Sequence, residues 1–135
     1  MSGPPVESEA LTHGSLQAAI SRHIVRRFAE YTGRGPTRAR TTIADNLIVC
    51  ITQDNMTKAE RRLTEDDEAE TVKSLRRKFQ QTMREELVGG VEELTGRTVV
   101  AFMSDHDVAA DCAAEVFLLD GPPLNGTRRD GLPAE

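Results

Sequence analysis

Thr-Gly-Arg occurs twice, at residues 32–34 and 95–97, and each copy closes an amphipathic helical stretch and opens a strand-like one. Before the first copy, Leu16, Ile20, Ile24, Phe28 and Tyr31 recur at helical spacing behind Ser15, a residue type suited to an N-cap. Before the second, Val72, Leu75, Phe79, Met83, Leu87 and Val91 form a stripe at three and four spacing that runs down to Leu94, with Lys73, Arg76, Arg77 and Glu86 on the other faces. Each copy then leads into a strand, a polar turn and a second apolar strand. A glycine just past the last apolar helical residue readily takes the left-handed conformation that ends a helix, so Gly33 and Gly96 are expected as matched helix stops. Arg34 and Arg97 are expected to cap carbonyls at those helix ends.

The strands follow from period. "TRARTTIA" alternates Thr37, Ala39, Thr41 and Ile43 against Arg38, Arg40 and Thr42, the pattern of a strand with one wet face. "DN" at 45 and 46 makes a tight turn, and "LIVCIT" supplies a more buried partner, giving a hairpin over 37–52. "TVVAFMS" and "CAAEVFLLD" read as two further strands joined by the acidic "DHDVAAD". Between the halves, Thr57 and Glu60 have capping-box spacing for a short helix ending near Leu63, and Thr64 with "EDDEAE" suits the first turn of the long helix. Gly89 and Gly90 interrupt that helix and mark a bend or a close packing contact. The expected fold is therefore α+β: a two-layer sandwich with an αββαββ pseudo-repeat, a four-stranded, mostly antiparallel sheet, and both main helices on one face.

At 135 residues the chain suits one domain with a real core. Residues 1–13 and 121–135 are rich in Pro, Gly and polar residues and lack periodicity, so they are expected as flexible tails around a single domain over 14–120. The longest apolar runs, "LIVCI" and "VVAFM", are far short of a membrane span, and the N-terminus lacks the order of a signal peptide; the expectation is a cytoplasmic protein. Cys50 and Cys112 sit in apolar runs and are expected as buried reduced thiols.

Net charge is −5, but it is segregated. Six arginines fall within residues 14–44 against Glu30 alone, while residues 105–120 carry Asp105, Asp107, Asp111, Glu115 and Asp120 without a base. Such a molecule is electrically polar, with a basic end for phosphates, nucleic acid or an acidic partner, or for its own acidic end.

A phosphate loop is one reading of "TGRGPTR". A Walker-type loop, however, needs a strand before its glycines and a helix after, so that helix N-terminal amides meet the phosphates. Here the helix comes first, and the dipole at its C-terminus disfavours anions. What is left is a candidate anion or partner surface at Arg34, Arg38 and Arg40. Aromatic side chains for stacking bases are missing from the arginine-bearing strand, which disfavours nucleic acid. A second candidate cluster is Asp105, His106, Asp107 and Asp111, a metal set only if the connection curls favourably; aspartates in a turn explain the same letters. His23, beside the apolar stripe of the first helix, reads as a packing histidine rather than a base.

"YTGRGPTRARTTIADNLIVCI", "MTKAERRL" and "LTGRTVVAFMSDHDVAADCAAEVFLLD", taken in order, resemble a small family of uncharacterised bacterial proteins labelled MpsC-like, or Na-translocating system proteins. The resemblance covers nearly all of 15–120, and the Gly89-Gly90 pair departs from it. It implies a link to a membrane-potential-generating, cation- or inorganic-carbon-handling system, with no catalytic residues to carry over. A chain without its own span would be an accessory component of such a system. The combined expectation is a non-enzymatic binding or regulatory module without cofactor. Its expected partners are a protein, such as a membrane transport component, and a second copy of the chain in a homodimer. The alternatives are a nucleic-acid or nucleotide binder using the arginine strip, and a metal-dependent protein centred on 105–111.

Overall fold

The computed structural model describes residues 13–124. Along the chain come α1 (His13–Thr32), β1 (Arg38–Ala44), β2 (Leu47–Gln53), α2 (Lys58–Glu65), α3 (Ala69–Thr95), β3 (Val99–Asp107) and β4 (Cys112–Leu119). The strands form one sheet in the order β1-β2-β4-β3, and every neighbouring pair is antiparallel. Each hairpin closes locally, and the two hairpins meet through their second strands, with Leu47 opposite Leu118 and Gln53 opposite Cys112. This is the expected α+β arrangement, with α2 as a short addition between the halves. The tails expected over 1–13 and 121–135 lie outside the described residues except at their inner ends. There His13 begins α1 and the Leu124 N–H donates to the Thr95 carbonyl.

The core lies between the sheet and the helices. From α1 it takes Leu16, Ile20, Ile24 and Phe28, and from α3 Met83, Leu87 and Val91. Ile48, Cys50, Phe117 and Leu119 rise from the two central strands to meet them. Most of these side chains are fully buried, each contributing about 1.5–3 kcal/mol by leaving water.

The two helix ends match in detail. Gly33 and Gly96 have φ of 83° and 71°, and their N–H groups donate to the Ala29 and Glu92 carbonyls. Thr32 Oγ1 donates back to the Phe28 carbonyl and Thr95 Oγ1 to that of Val91, each at 2.8 Å. Residues with a Cβ pay for this left-handed geometry, which is why a glycine stands at both stops.

Three local expectations are corrected. The long helix begins at Ala69, not Thr64: the acidic run is spent on ending α2, with the Asp66 and Glu68 N–H groups donating to the Leu63 carbonyl and Asp67 at φ 63°. The Thr57–Glu60 capping box is present and opens α2 as expected. Second, the buried stripe of α3 includes Arg76 and Gln80, while Leu75 is 36% exposed. A four-residue step from Val72 reaches Arg76 and then Gln80, and that line faces the sheet. Third, β3 extends through Asp107, so Asp105, His106 and Asp107 belong to a strand rather than a connecting loop.

Gly90 resolves the double glycine. A Cβ there would lie 2.0 Å from the His23 ring, whereas Gly89 has nothing within 4 Å. His23 packs into the space Gly90 leaves, its Nε2 3.2 Å from the Leu87 carbonyl oxygen, and burial lowers its pKa.

Candidate functional site

Side chains alternate across a strand, so each strand of the sheet turns one set of residues toward the helices and the other away. The inward set forms the core described above. The outward set has no described helix packed across it, the first turn of α3 bordering it at one corner only, and the strand register arranges it in rows. At one end Arg38, Gln53, Cys112 and Asp107 stand side by side. Next comes Arg40, Ile51, Ala114 and Asp105, then Thr42, Val49, Val116 and Met103. The last row is Ala44, Leu47, Leu118 and Ala101.

The face is thus apolar through its two central strands and charged at both borders near one end. Arg38 and Arg40 share the β1 edge, and Asp105 and Asp107 share the β3 edge, three strand spacings or roughly 14 Å away. At that distance solvent screening leaves little direct attraction between the borders. Among the described residues none of these four side chains is in an ion pair. The two aspartates accept only local backbone N–H bonds, from His106 at 2.8 Å and Ala110 at 3.1 Å. At the corner where the β3 edge meets the start of α3, a cleft of about 520 Å³ is lined by Asp105, Asp107 and Ile51 together with Ala69, Glu70 and Lys73. Met103 is 57% exposed on this face.

The apolar run "LIVCIT" reads as the more buried strand of its hairpin, and β2 does bury more of its side chains than β1. Helices cover only one of its sides: Ile48, Cys50 and Thr52 are buried, while Leu47, Val49 and Ile51 belong to the open face. β4 does the same with Val116 and Leu118. Unbroken apolar strands are the signature of a sheet covered on both faces. Cys112 likewise sits on the open face and is half-buried, in contrast to the fully buried Cys50; both are free thiols.

Arg34 does not join Arg38 and Arg40. Its Nη1 donates to the Asp54 and Met56 carbonyls at 2.8 and 2.9 Å, and its Nη2 to the Asp54 carboxylate at 2.9 Å. Thr37 and Arg61 also donate to that carboxylate, and the Thr37 bond is the main cause holding Asp54 below the usual carboxylate range. Arg97 reaches the Pro122 carbonyl at 2.5 Å. Neither arginine caps its own helix end, which the glycine and threonine already satisfy; each instead ties down the segment after the second strand of its own half.

The four residues weighed as a metal set are divided by the sheet. Asp105 and Asp107 point outward, while His106 is buried on the inner side with its Nε2 3.0 Å from Asp111 Oδ1. Asp111 Oδ2 accepts from the Asn55 and Met56 N–H groups at 2.9 and 3.1 Å. Burial pushes the Asp111 pKa up, but the Met56, His106 and Asn55 bonds outweigh it and hold the group low. Among the described residues no group of three or more His, Cys, Asp or Glu side chains is placed to hold a metal ion.

Sequence reasoning missed the polar layer beneath the sheet. Arg76 forms a buried two-point ion pair with Glu60, at 2.9 and 2.7 Å, and donates to the Asn55 carbonyl at 2.6 Å. Glu115 is fully buried, touched by Gln80 Nε2 at 3.5 Å, and burial pushes its pKa up to about 8 against a smaller opposing effect of Ser104. The four-residue spacing of Val72, Arg76 and Gln80 was the available signal for the first pair. For Glu115 it was the alternation of "CAAEVFLL", which places Glu115 in phase with Phe117 and Leu119.

Two helix–hairpin halves closing a single sheet, one face under helices and the other open, define a two-layer α+β domain of repeated design. The chain belongs to the MpsC family: the family model described as Na+-translocating membrane potential-generating system (MpsC) matches residues 12–121. No curated protein and no solved structure matches it. Among the described residues no helix is long and apolar enough to cross a membrane.

Proposed function

We propose that this chain is a non-enzymatic binding or regulatory module that works through the open face of its sheet, as an accessory component of a membrane cation system. The observation that carries the reading is the composition of that face. Its central strands present Leu47, Val49, Ile51, Val116 and Leu118, and its borders present Arg38 and Arg40 on one side and Asp105 and Asp107 on the other. An apolar centre with a charged rim is how specific protein contact surfaces are built. The family description supplies the sodium-translocating context. The paired borders favour a protein partner over nucleic acid, since a run of phosphates would meet the aspartate edge as readily as the arginine edge.

The test uses membrane vesicles from cells that carry the sodium-translocating system, with Na+-driven membrane potential read by a voltage-sensitive dye. Added wild-type chain is expected to change the potential, and the Arg38→Ala/Arg40→Ala chain to lose most of that effect. An equal response to both chains removes the arginine border from the account, and no response to either removes the accessory role.

A further inference from the structure

We infer that the open face is complementary to itself, and that its partner is a second copy of the chain, stacked sheet on sheet with β1 of each copy over β3 of the other. The inference rests on the reading of this face as a contact surface, and it names the occupant.

The argument begins with symmetry. Two copies of one face stacked with their strands aligned meet by a twofold axis lying between the sheets, either along the strands or across them. An axis across the strands lays β1 on β1 but reverses position along it, so a centred stack sets Arg38 over the partner's Ala44, Arg40 over the partner's Thr42, Asp107 over the partner's Ala101 and Asp105 over the partner's Met103. All four charges then enter the contact without a partner, which costs rather than gains free energy. An axis along the strands, above the β2–β4 seam, reverses strand order and keeps position along the strand. It sets β1 on the partner's β3 and β2 on the partner's β4.

Register then decides whether the charges meet. Arg38 and Asp107 lie in one row, and Arg40 and Asp105 in the next. The strand-parallel axis therefore places Arg38 over the partner's Asp107 and Arg40 over the partner's Asp105, and each pair occurs twice. The same operation sets Val49 over the partner's Val116 and Leu47 over the partner's Leu118, so the apolar centre meets apolar centre.

The dimensions agree. Stacked sheets lie about 10 Å apart, close to the combined reach of an arginine and an aspartate side chain. They cross at about 30°, and edge strands roughly 7 Å from the axis are displaced by about 4 Å, one residue step that the long arginine side chain spans. Stacking also gives β2 and β4 cover for the apolar residues they turn outward, Leu47, Val49, Ile51, Val116 and Leu118. A face four strands wide and about seven residues long measures roughly 19 by 24 Å, toward the small end of specific interfaces, so the dimer is expected to dissociate in the micromolar range.

The test is charge reversal, followed by sedimentation equilibrium of the full chain. One variant, R38D/R40D, carries acid on both borders; another, D105R/D107R, carries base on both. Each alone is expected to self-associate about 30-fold or more weakly than wild type, and an equimolar mixture to recover dimers at wild-type strength, because only the mixed pair matches. All substitutions lie on the open face, and circular dichroism checks that the fold is kept. Val49→Lys, at the apolar centre, is expected to abolish dimers in every combination. A wild-type chain that stays monomeric, an R38D/R40D chain that dimerises as well as wild type, or a mixture that fails to recover overturns the inference. A monomeric wild type that still alters the membrane potential through Arg38 and Arg40 overturns the pairing of copies alone and leaves the contact-surface reading standing. Matched dimers without any effect on the potential uphold the pairing of copies and remove the accessory role.

Discussion

Cys50 and Glu115 stand directly opposite one another across the seam where the two halves meet, both on the inner side of the sheet. The halves share an architecture down to the threonine, glycine and arginine at each helix end, yet at this shared position one supplies a thiol and the other a carboxyl. Burial pushes the thiol to about 11, so it stays neutral at any physiological pH. The same burial pushes Glu115 to about 8, leaving a group that must hold a proton to be tolerated where it is. The first half meets α1 with apolar side chains and neutral hydroxyls, Thr41 bonding Ser21 of α1 at 2.7 Å and Thr52 fully buried, but with no ionisable group other than the Cys50 thiol. Beneath the second, Arg76, Gln80, His106 and Glu115 lie in or beside the core. Identical backbone plans thus tolerate unequal chemistry, provided each buried polar group finds a partner or gives up its charge.

The sharpest way to break the comparison is Arg76→Ala. It leaves the Glu60 carboxylate buried without its cation, and a loss of about 3–5 kcal/mol is expected from urea unfolding. A loss below about 1 kcal/mol would show that water or rearrangement covers Glu60, and that the second half depends on its polar layer no more than the first. The Glu115 contrast is read by pH. Its folded value lies above the ordinary 4.5, so the folded chain keeps a proton that the unfolded chain releases, and stability falls as pH rises from about 4.5 to about 8. Glu115→Gln is expected to flatten that fall and to be the more stable chain above neutrality, by a few kcal/mol at most. Parallel pH–stability curves for the two chains would remove Glu115 as the cause.

Smaller effects sharpen the picture at the helices. Gly90→Ala drives a methyl group into His23 and is expected to cost about 1–2 kcal/mol, partly restored by His23→Ala. Gly89→Ala meets nothing and is expected to stabilise by up to about 1 kcal/mol through helix propensity alone. Thermal unfolding of the pair separates packing from propensity, since both glycines would behave alike if propensity decided. Last, Arg34→Met removes two carbonyl bonds and an ion pair, and Arg97→Met one exposed carbonyl bond. About 1 kcal/mol is expected for the first and about half that or less for the second. Equal losses would mean that the two arginines do the same work after all.

Much of this arrangement was legible in the sequence, because periodicity and punctuation are local. The helical stripes, the Asp45-Asn46 turn and both glycine stops follow from spacing alone, and the repeat of Thr-Gly-Arg fixed the order of elements. What spacing cannot carry is which of two near-equal helical lines faces the sheet. Leu75 and Phe79 are the more apolar choice, yet Arg76 and Gln80 took the buried line because Glu60 and Glu115 meet them there. The length of β3 was underestimated for a similar reason: aspartates signal turns, but Asp105 and Asp107 sit on a wet strand face, where such residues are also at home. For the site, the two-residue alternation of "TRARTTIA" places Arg38 and Arg40 on one face. That Asp105 and Asp107 share the same face at the opposite border depends on register across two strand pairings, which no local pattern encodes. Arg34 was grouped with the other arginines by proximity in sequence, and long-range bonds to the Asp54 and Met56 segment took it away.

The seam between β2 and β4 also has a consequence for how the chain reaches its fold. Each hairpin closes over a two- to four-residue turn, but the seam pairs Leu47 with Leu118 and Asn46 with Leu119, partners far apart along the chain. Local turns form fast and long-range pairings slowly, so the halves are expected to be shaped before the seam closes. Until it does, β2 and β4 are both free edges rich in Ile, Val and Leu, able to pair with another chain's strands as readily as with each other. The join that completes the sheet is therefore also the point at which two folding chains would exchange halves.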